Sequence, residues 1–116
     1  MNGMFAFFNE RDAPDVDEQP TVQVRSWRVV EAVAGDRRLL VAMDHGPLRI
    51  TSPLAGLSTA STELITQSGR RYELLAPPET RQPQWAQLAA NAARSGLRDA
   101  VDVSEEVWQL ITVSRN

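Results

Sequence analysis

The residues able to do chemistry are few and poorly grouped. His45 is the single histidine, and it follows Asp44 in the turn-forming stretch Asp44-His45-Gly46-Pro47. An imidazole with an ordinary pKa of about 6.5 can act as a general base or a pH-sensitive contact. Neighbours in a turn point in different directions, so Asp44 is badly placed to orient His45 as a triad acid would. The plain reading of His45 is a polar residue at a turn tip.

Gly56-Leu57-Ser58-Thr59-Ala60 approaches the Gly-x-Ser-x-Gly elbow, in which small flanks let a serine project from a strained strand-to-helix turn. Alanine stands where the last glycine belongs, Pro53 interrupts the preceding segment, and the histidine comes before the serine. A chain of 116 residues is also too short for that hydrolase architecture. Carboxylates are paired at Asp99/Asp102 and at Glu105/Glu106. A glycosidase or two-metal site needs carboxylates converging from different elements. Glu105 and Glu106 are better read as first-turn charges that complement a helix dipole.

Missing residue types exclude more than the present ones support. Without cysteine there is no disulfide framework, thiolate zinc, iron–sulfur cluster or thiol nucleophile. All 12 basic residues are arginine. With no lysine there is no Walker A loop, Schiff base or Ser–Lys dyad. One histidine cannot make a His-x-x-x-His metal pair, so a metal would need carboxylates alone. The expectation is a non-catalytic chain with no cofactor and no metal, a hydrolase of unknown type being the residual alternative.

The arginines are unevenly spread. The formal net charge is −3, but residues 1–20 carry five acids against one arginine, whereas residues 21–76 carry seven arginines against five acids. Arg37-Arg38 and Arg70-Arg71 each begin a strand just beyond a hairpin turn. If those turns share one end of a sheet, four guanidiniums cluster, with Trp27 and Tyr72 as stacking partners. Such a patch would suit forked recognition of carboxylate or phosphate. An excess of two positive charges is small for a nucleic-acid binder, and paired arginines also keep sheet edges soluble. Trp27, Trp85 and Trp108 are read first as core anchors.

These residues need elements to hold them. Met4-Phe5-Ala6-Phe7-Phe8 is apolar, with no basic residue before it and too few residues for a signal sequence or a membrane span. A cytoplasmic location is the default expectation. Met4, Phe5, Phe7 and Phe8 could form an extra edge strand, a partner-binding anchor or an unordered terminus. Residues 9–20 hold acids and prolines that cannot be buried, and read as a linker or tail.

From Thr21 to Val33 the residues are strand formers. Val22 and Val24 lie on one parity and Trp27, Val29 and Val33 on the other, which predicts a bulge or bend near Arg25-Ser26. Arg38–Met43 is apolar on both faces and so central. Leu48, Ile50 and Leu54 mark a third strand, and Ala55–Ser61 reads as a loop or single helical turn. Thr62–Gln67 and Arg70–Leu75 flank Ser68-Gly69 as a two-residue hairpin, with Ile65 opposite Tyr72. Trp85, Leu88, Ala89, Ala92 and Ala93 at helical spacing predict a helix over 83–95, ended by Gly96 with Leu97 packed on Ala92. Ser104 ahead of two glutamates predicts a short helix, although 107–114 is also rich in strand formers.

The predicted architecture is α+β: an antiparallel sheet of about five strands, or a partly open small barrel, followed by one or two C-terminal helices on one face. Residues 1–20 form an apolar patch with an acidic linker, and 21–116 a single domain, β-rich over 21–76 and helical over 77–116. The expected function is protein binding through a sheet face, a strand edge or the N-terminal segment. A protein partner or self-association is favoured over nucleic acid and no membrane is expected; the alternative is a nucleic-acid regulator using the arginine patch.

Overall fold

The computed structural model describes residues 20–43 and 48–112. Its strands are β1 (Thr21–Val24), β2 (Ser26–Glu31), β3 (Arg37–Ala42), β4 (Leu48–Ile50), β5 (Leu54–Ser58), β6 (Glu63–Thr66), β7 (Arg71–Leu74) and β8 (Val101–Asp102). The helices are α1 (Gln82–Arg94), before β8, and α2 (Ser104–Thr112), after it. The α+β class is as predicted, but the strands form two sheets of four, ordered β1-β7-β6-β5 and β4-β3-β2-β8, not one of about five. The sheets are not closed into a barrel.

The change of apolar parity at Arg25 has a physical cause. It is where the chain leaves the first sheet at β1 and enters the second at β2. A second corner at Ser52-Pro53 returns it from β4 to β5. Val22, Val24, Leu64, Tyr72 and Leu74 of the first sheet share one core with Trp27, Val29, Leu39 and Val41 of the second. Val107 and Ile111 of α2 complete that core. Val30, Leu40 and Ile50 on the opposite face of the second sheet pack with Leu88 and Ala92 of α1. β3 is thus covered on both faces, as its two-sided apolar pattern requires.

Two local readings need correction. Ala55–Ser61 is not a loop throughout: Leu54–Ser58 is the edge strand β5, paired antiparallel with β6. The hairpin pairs Leu64 with Tyr72 and Ile65 with Arg71, one residue off the predicted register. The N–H of Thr66 donates to the Arg70 carbonyl at 3.0 Å, so Gln67-Ser68-Gly69 is a three-residue loop. Gly69 takes φ +94°, the left-handed position that such a loop demands. Leu64 and Thr66 therefore face the core, while Ile65 is half-buried.

The helices end for identifiable reasons. At α1 the N–H of Leu97 donates to the Ala92 carbonyl and that of Gly96 to the Ala93 carbonyl, the two bonds of a Schellman ending. Gly96 has φ +90°. α2 begins where Ser104, fully buried, places its hydroxyl between the N–H and carbonyl of Val29 on β2. Among the described residues, no helix is long and apolar enough to cross a membrane.

Candidate functional site

The arginines do not assemble as a patch. Arg37 and Arg38 lie on β3 of one sheet, whereas Arg71 begins β7 of the other and Arg70 is the buried residue before it. Arg37 donates to Glu31 and Glu106, Arg38 to Asp36, and Arg71 to Glu63, at 2.8 to 3.1 Å. Trp27 and Tyr72 are buried in the shared core, so neither can stack on a surface ligand. Their apolar area is worth more between the sheets than at a rim, and the Trp27 indole N–H is held by the Ala76 carbonyl at 2.8 Å. His45 and the segment Met4, Phe5, Phe7 and Phe8 lie outside the described residues. Ser58 ends β5 with its hydroxyl 3.0 Å from that of Ser61, and no carboxylate among the described residues is bonded to it.

One charged cluster was missed in sequence. Arg28, on β2 and buried, lays its guanidinium 4.2 Å from the ring centre of Trp85 on α1. Its Nε and Nη2 donate to the two oxygens of Asp102 at 3.0 and 2.9 Å, and Nη1 donates to the Glu79 carbonyl at 2.8 Å. Burial pushes the Asp102 carboxyl upward, but the bonds from Arg28 and Ser104 outweigh it, and the group lies below its ordinary value. The sequence signal was parity: Arg28 and Val30 alternate with Trp27 and Val29, so an arginine had to enter the α1 side of the sheet. A groove of about 170 Å³ runs beside Arg28, Trp85, Ala89 and Arg98. With its donors engaged, Arg28 ties β2, β8, α1 and the loop before α1 together, and offers no free fork to a ligand.

Glu79 is a buried acid that sequence reading passed over. Its carboxylate accepts from the Ser26 hydroxyl at 2.5 Å and from the backbone and side chain of Arg81 at 3.0 and 3.2 Å. Those bonds, Ser26 first, hold its pKa down at about 2. Asp99 is exposed, and Glu105 and Glu106 reach Arg28 and Arg37 from the first turn of α2. Among the described residues, no group of three acids or histidines is placed to hold a metal.

The remaining surface feature is the outer edge of β5. β5 ends its sheet and pairs only with β6 among the described strands. Its residues Leu54-Ala55-Gly56-Leu57-Ser58 contain none of the charges or prolines with which edge strands are ordinarily protected. The register shifts between Leu54 and Gly56, an irregularity of the kind that re-aims an edge. Beside it opens a groove of about 300 Å³, bounded by β5, the turn at Gly35-Asp36, Arg37, and the Val107–Leu110 face of α2. Leu57 and Leu110 stand 40% and 49% exposed on its walls. Leu64 of β6, buried in the shared core, also lines it. A strand laid there would find unpaired backbone on one side and apolar side chains around it.

No protein-family profile matches the chain, and comparisons with characterised proteins and with solved structures give no match.

Proposed function

We propose that this protein is a small non-catalytic binding module that takes up an extended, apolar polypeptide segment by adding it as a strand to the outer edge of β5. The observation carrying this reading is the unguarded edge Leu54–Ser58 beside an apolar groove of about 300 Å³. Main-chain hydrogen bonds supply affinity in such strand addition, and alternate side chains entering pockets supply selectivity. Leu57 and Leu110 would meet the apolar side chains of the ligand, and Arg37 marks a polar rim. The arginine pairs, divided between sheets and engaged by carboxylates, are not the surface proposed.

Gly56→Lys tests the proposal. Nothing lies within 4 Å of a Cβ built at Gly56, and its φ is not left-handed, so the lysine is accommodated. A lysine on an edge strand opposes pairing. Short peptides selected from a displayed library on the full chain are expected to have apolar residues at alternate positions and to bind Gly56→Lys at least ~10-fold more weakly, a loss of ~1.4 kcal/mol. Peptides that bind both proteins equally, or a library with no enrichment, would refute it.

A further inference from the structure

We infer that Arg49 and the Tyr72 hydroxyl form an oxyanion site between the two sheets, which takes the carboxylate or phosphate group of a small molecule. Leu48 and Ile50 lie on the α1 side of the second sheet, so alternation along β4 turns Arg49 to the other face. There it stands in one cross-strand row with Trp27 and Val41, both members of the core that the sheets share. Arg49 is only 7% exposed.

A cation in that position needs partners, because a buried charge is costly unless it is paired and hydrogen-bonded. The guanidinium has several N–H donors. Among the described residues it makes one bond, from Nη1 to the Tyr72 hydroxyl at 3.5 Å, longer than a good hydrogen bond. Arg28, buried to the same degree, shows how this fold treats such a group elsewhere: three donations at 2.8 to 3.0 Å, two of them to a carboxylate. No carboxylate among the described residues lies within ion-pair distance of Arg49. Alternation explains this. Glu63 and Glu73 leave the core face of the first sheet to Leu64, Tyr72 and Leu74, and bond Arg71 and Gln23 instead. Glu31 shares the face of Trp27 but sits roughly 13 Å further along β2, held by Arg37.

The chemistry of the two side chains names the class of ligand. Arginine's planar fork matches the paired oxygens of a carboxylate or phosphate. The Tyr72 oxygen accepts from Arg49, which leaves the phenolic proton free to be donated to the same anion. Trp27 and Val41 surround the site with apolar area, and both contacts gain strength in such a medium. β4 is the edge strand of its sheet, so Arg49 lies at the margin of the core, where a small anion reaches it. A side chain this thoroughly covered admits one oxyanion group and not the backbone of a polymer.

Calorimetric titration of the full chain with sodium phosphate and with sodium acetate, at pH 7 and constant ionic strength, tests the site. At least one of the two should bind saturably, one per chain. Phosphate alone would identify a phosphate-bearing ligand, acetate alone a carboxylate, and both the shared oxyanion. Arg49→Lys keeps the charge without the fork, and Tyr72→Phe keeps the ring without the hydroxyl; each should bind at least ~10-fold more weakly. Arg49→Met should not bind. In oxyanion-free buffer Arg49→Met should unfold at a urea concentration no lower than the unaltered chain, since it removes a charge that the fold leaves unpaired. Added phosphate should then raise the midpoint of the unaltered chain above that of Arg49→Met. Should Arg49→Met fail to fold, Arg49→Lys and Tyr72→Phe decide by their affinities. Absence of saturable binding, equal binding by all the folded forms, or an equal rise in every midpoint, as a general salt effect gives, would overturn the inference. So would an Arg49→Met that folds but is markedly less stable in oxyanion-free buffer, because the chain would then supply the counter-charge itself.

Discussion

Replacing Arg28 with methionine removes three charge-assisted hydrogen bonds and a cation held against Trp85. Breaking a buried ion pair by deleting one partner costs ~3–5 kcal/mol when the survivor stays dry. Here the survivors differ. The Asp102 side chain is 31% exposed and keeps the Ser104 N–H at 3.0 Å, so after Arg28→Met it rehydrates, and the cost should fall to ~2 kcal/mol. Asp102→Ala instead leaves a guanidinium only 6% exposed, supported by the Glu79 carbonyl and by Glu105 at 3.7 Å. That variant should lose ~3–4 kcal/mol. The double variant no longer strands a charge, so its loss should be ~2 kcal/mol smaller than the two single losses together. Urea unfolding of all four proteins at pH 7, with a common m-value, measures the cycle. Losses that add within ~0.5 kcal/mol, or an Arg28→Met costlier than Asp102→Ala, would refute the view that Arg28 is a desolvated tie between layers.

Two further outcomes follow from buried polar contacts. Glu79 has its pKa lowered from 4.5 to about 2, so its contribution is complete above pH 4.5 and disappears as pH falls through that interval. The shift corresponds to roughly 3 kcal/mol, and acid titration of stability should therefore flatten between pH 4.5 and 2 in Glu79→Gln. Ser104→Ala strands the Val29 N–H inside the fold and should cost ~1–3 kcal/mol in thermal or urea unfolding, with Ser104→Thr tested beside it for rescue of the hydroxyl.

What could be read in sequence was whatever depends on local periodicity. α1, its Gly96 ending and the two-sided β3 all follow from spacing within a dozen residues. The bend at Arg25 was also legible, but its meaning was not, because parity reports that the apolar face changes and not that the strand changes sheets. β5 was missed because Ala55, Gly56 and Ser58 have poor strand propensity, and pairing with β6 overrides it. The hairpin slipped by one residue because Ser-Gly suits a two-residue loop, while Gly69 as the third loop residue puts Leu64 rather than Ile65 into the core. Of the candidate site, Leu57 could be seen as apolar, yet its groove requires α2 and the Gly35 turn beside it. Arg28 and Asp102 are separated by 74 residues, and no spacing rule joins them.

The parallel pairing of β1 with β7 has a consequence for synthesis. Residues in register there, such as Gln23 and Glu73, are fifty positions apart. At about 5–20 residues per second, the ribosome leaves β1 without its ladder partner for roughly 3–10 s after it is made. Val22 and Val24 must wait that long for Tyr72 and Leu74, whereas the β2–β3 hairpin can close at once. The β2–β3–β4 part of the second sheet is thereby complete in the chain before β7 is made, although its edge strand β8 comes last, and β1, the oldest strand in the fold, waits for the β6–β7 hairpin.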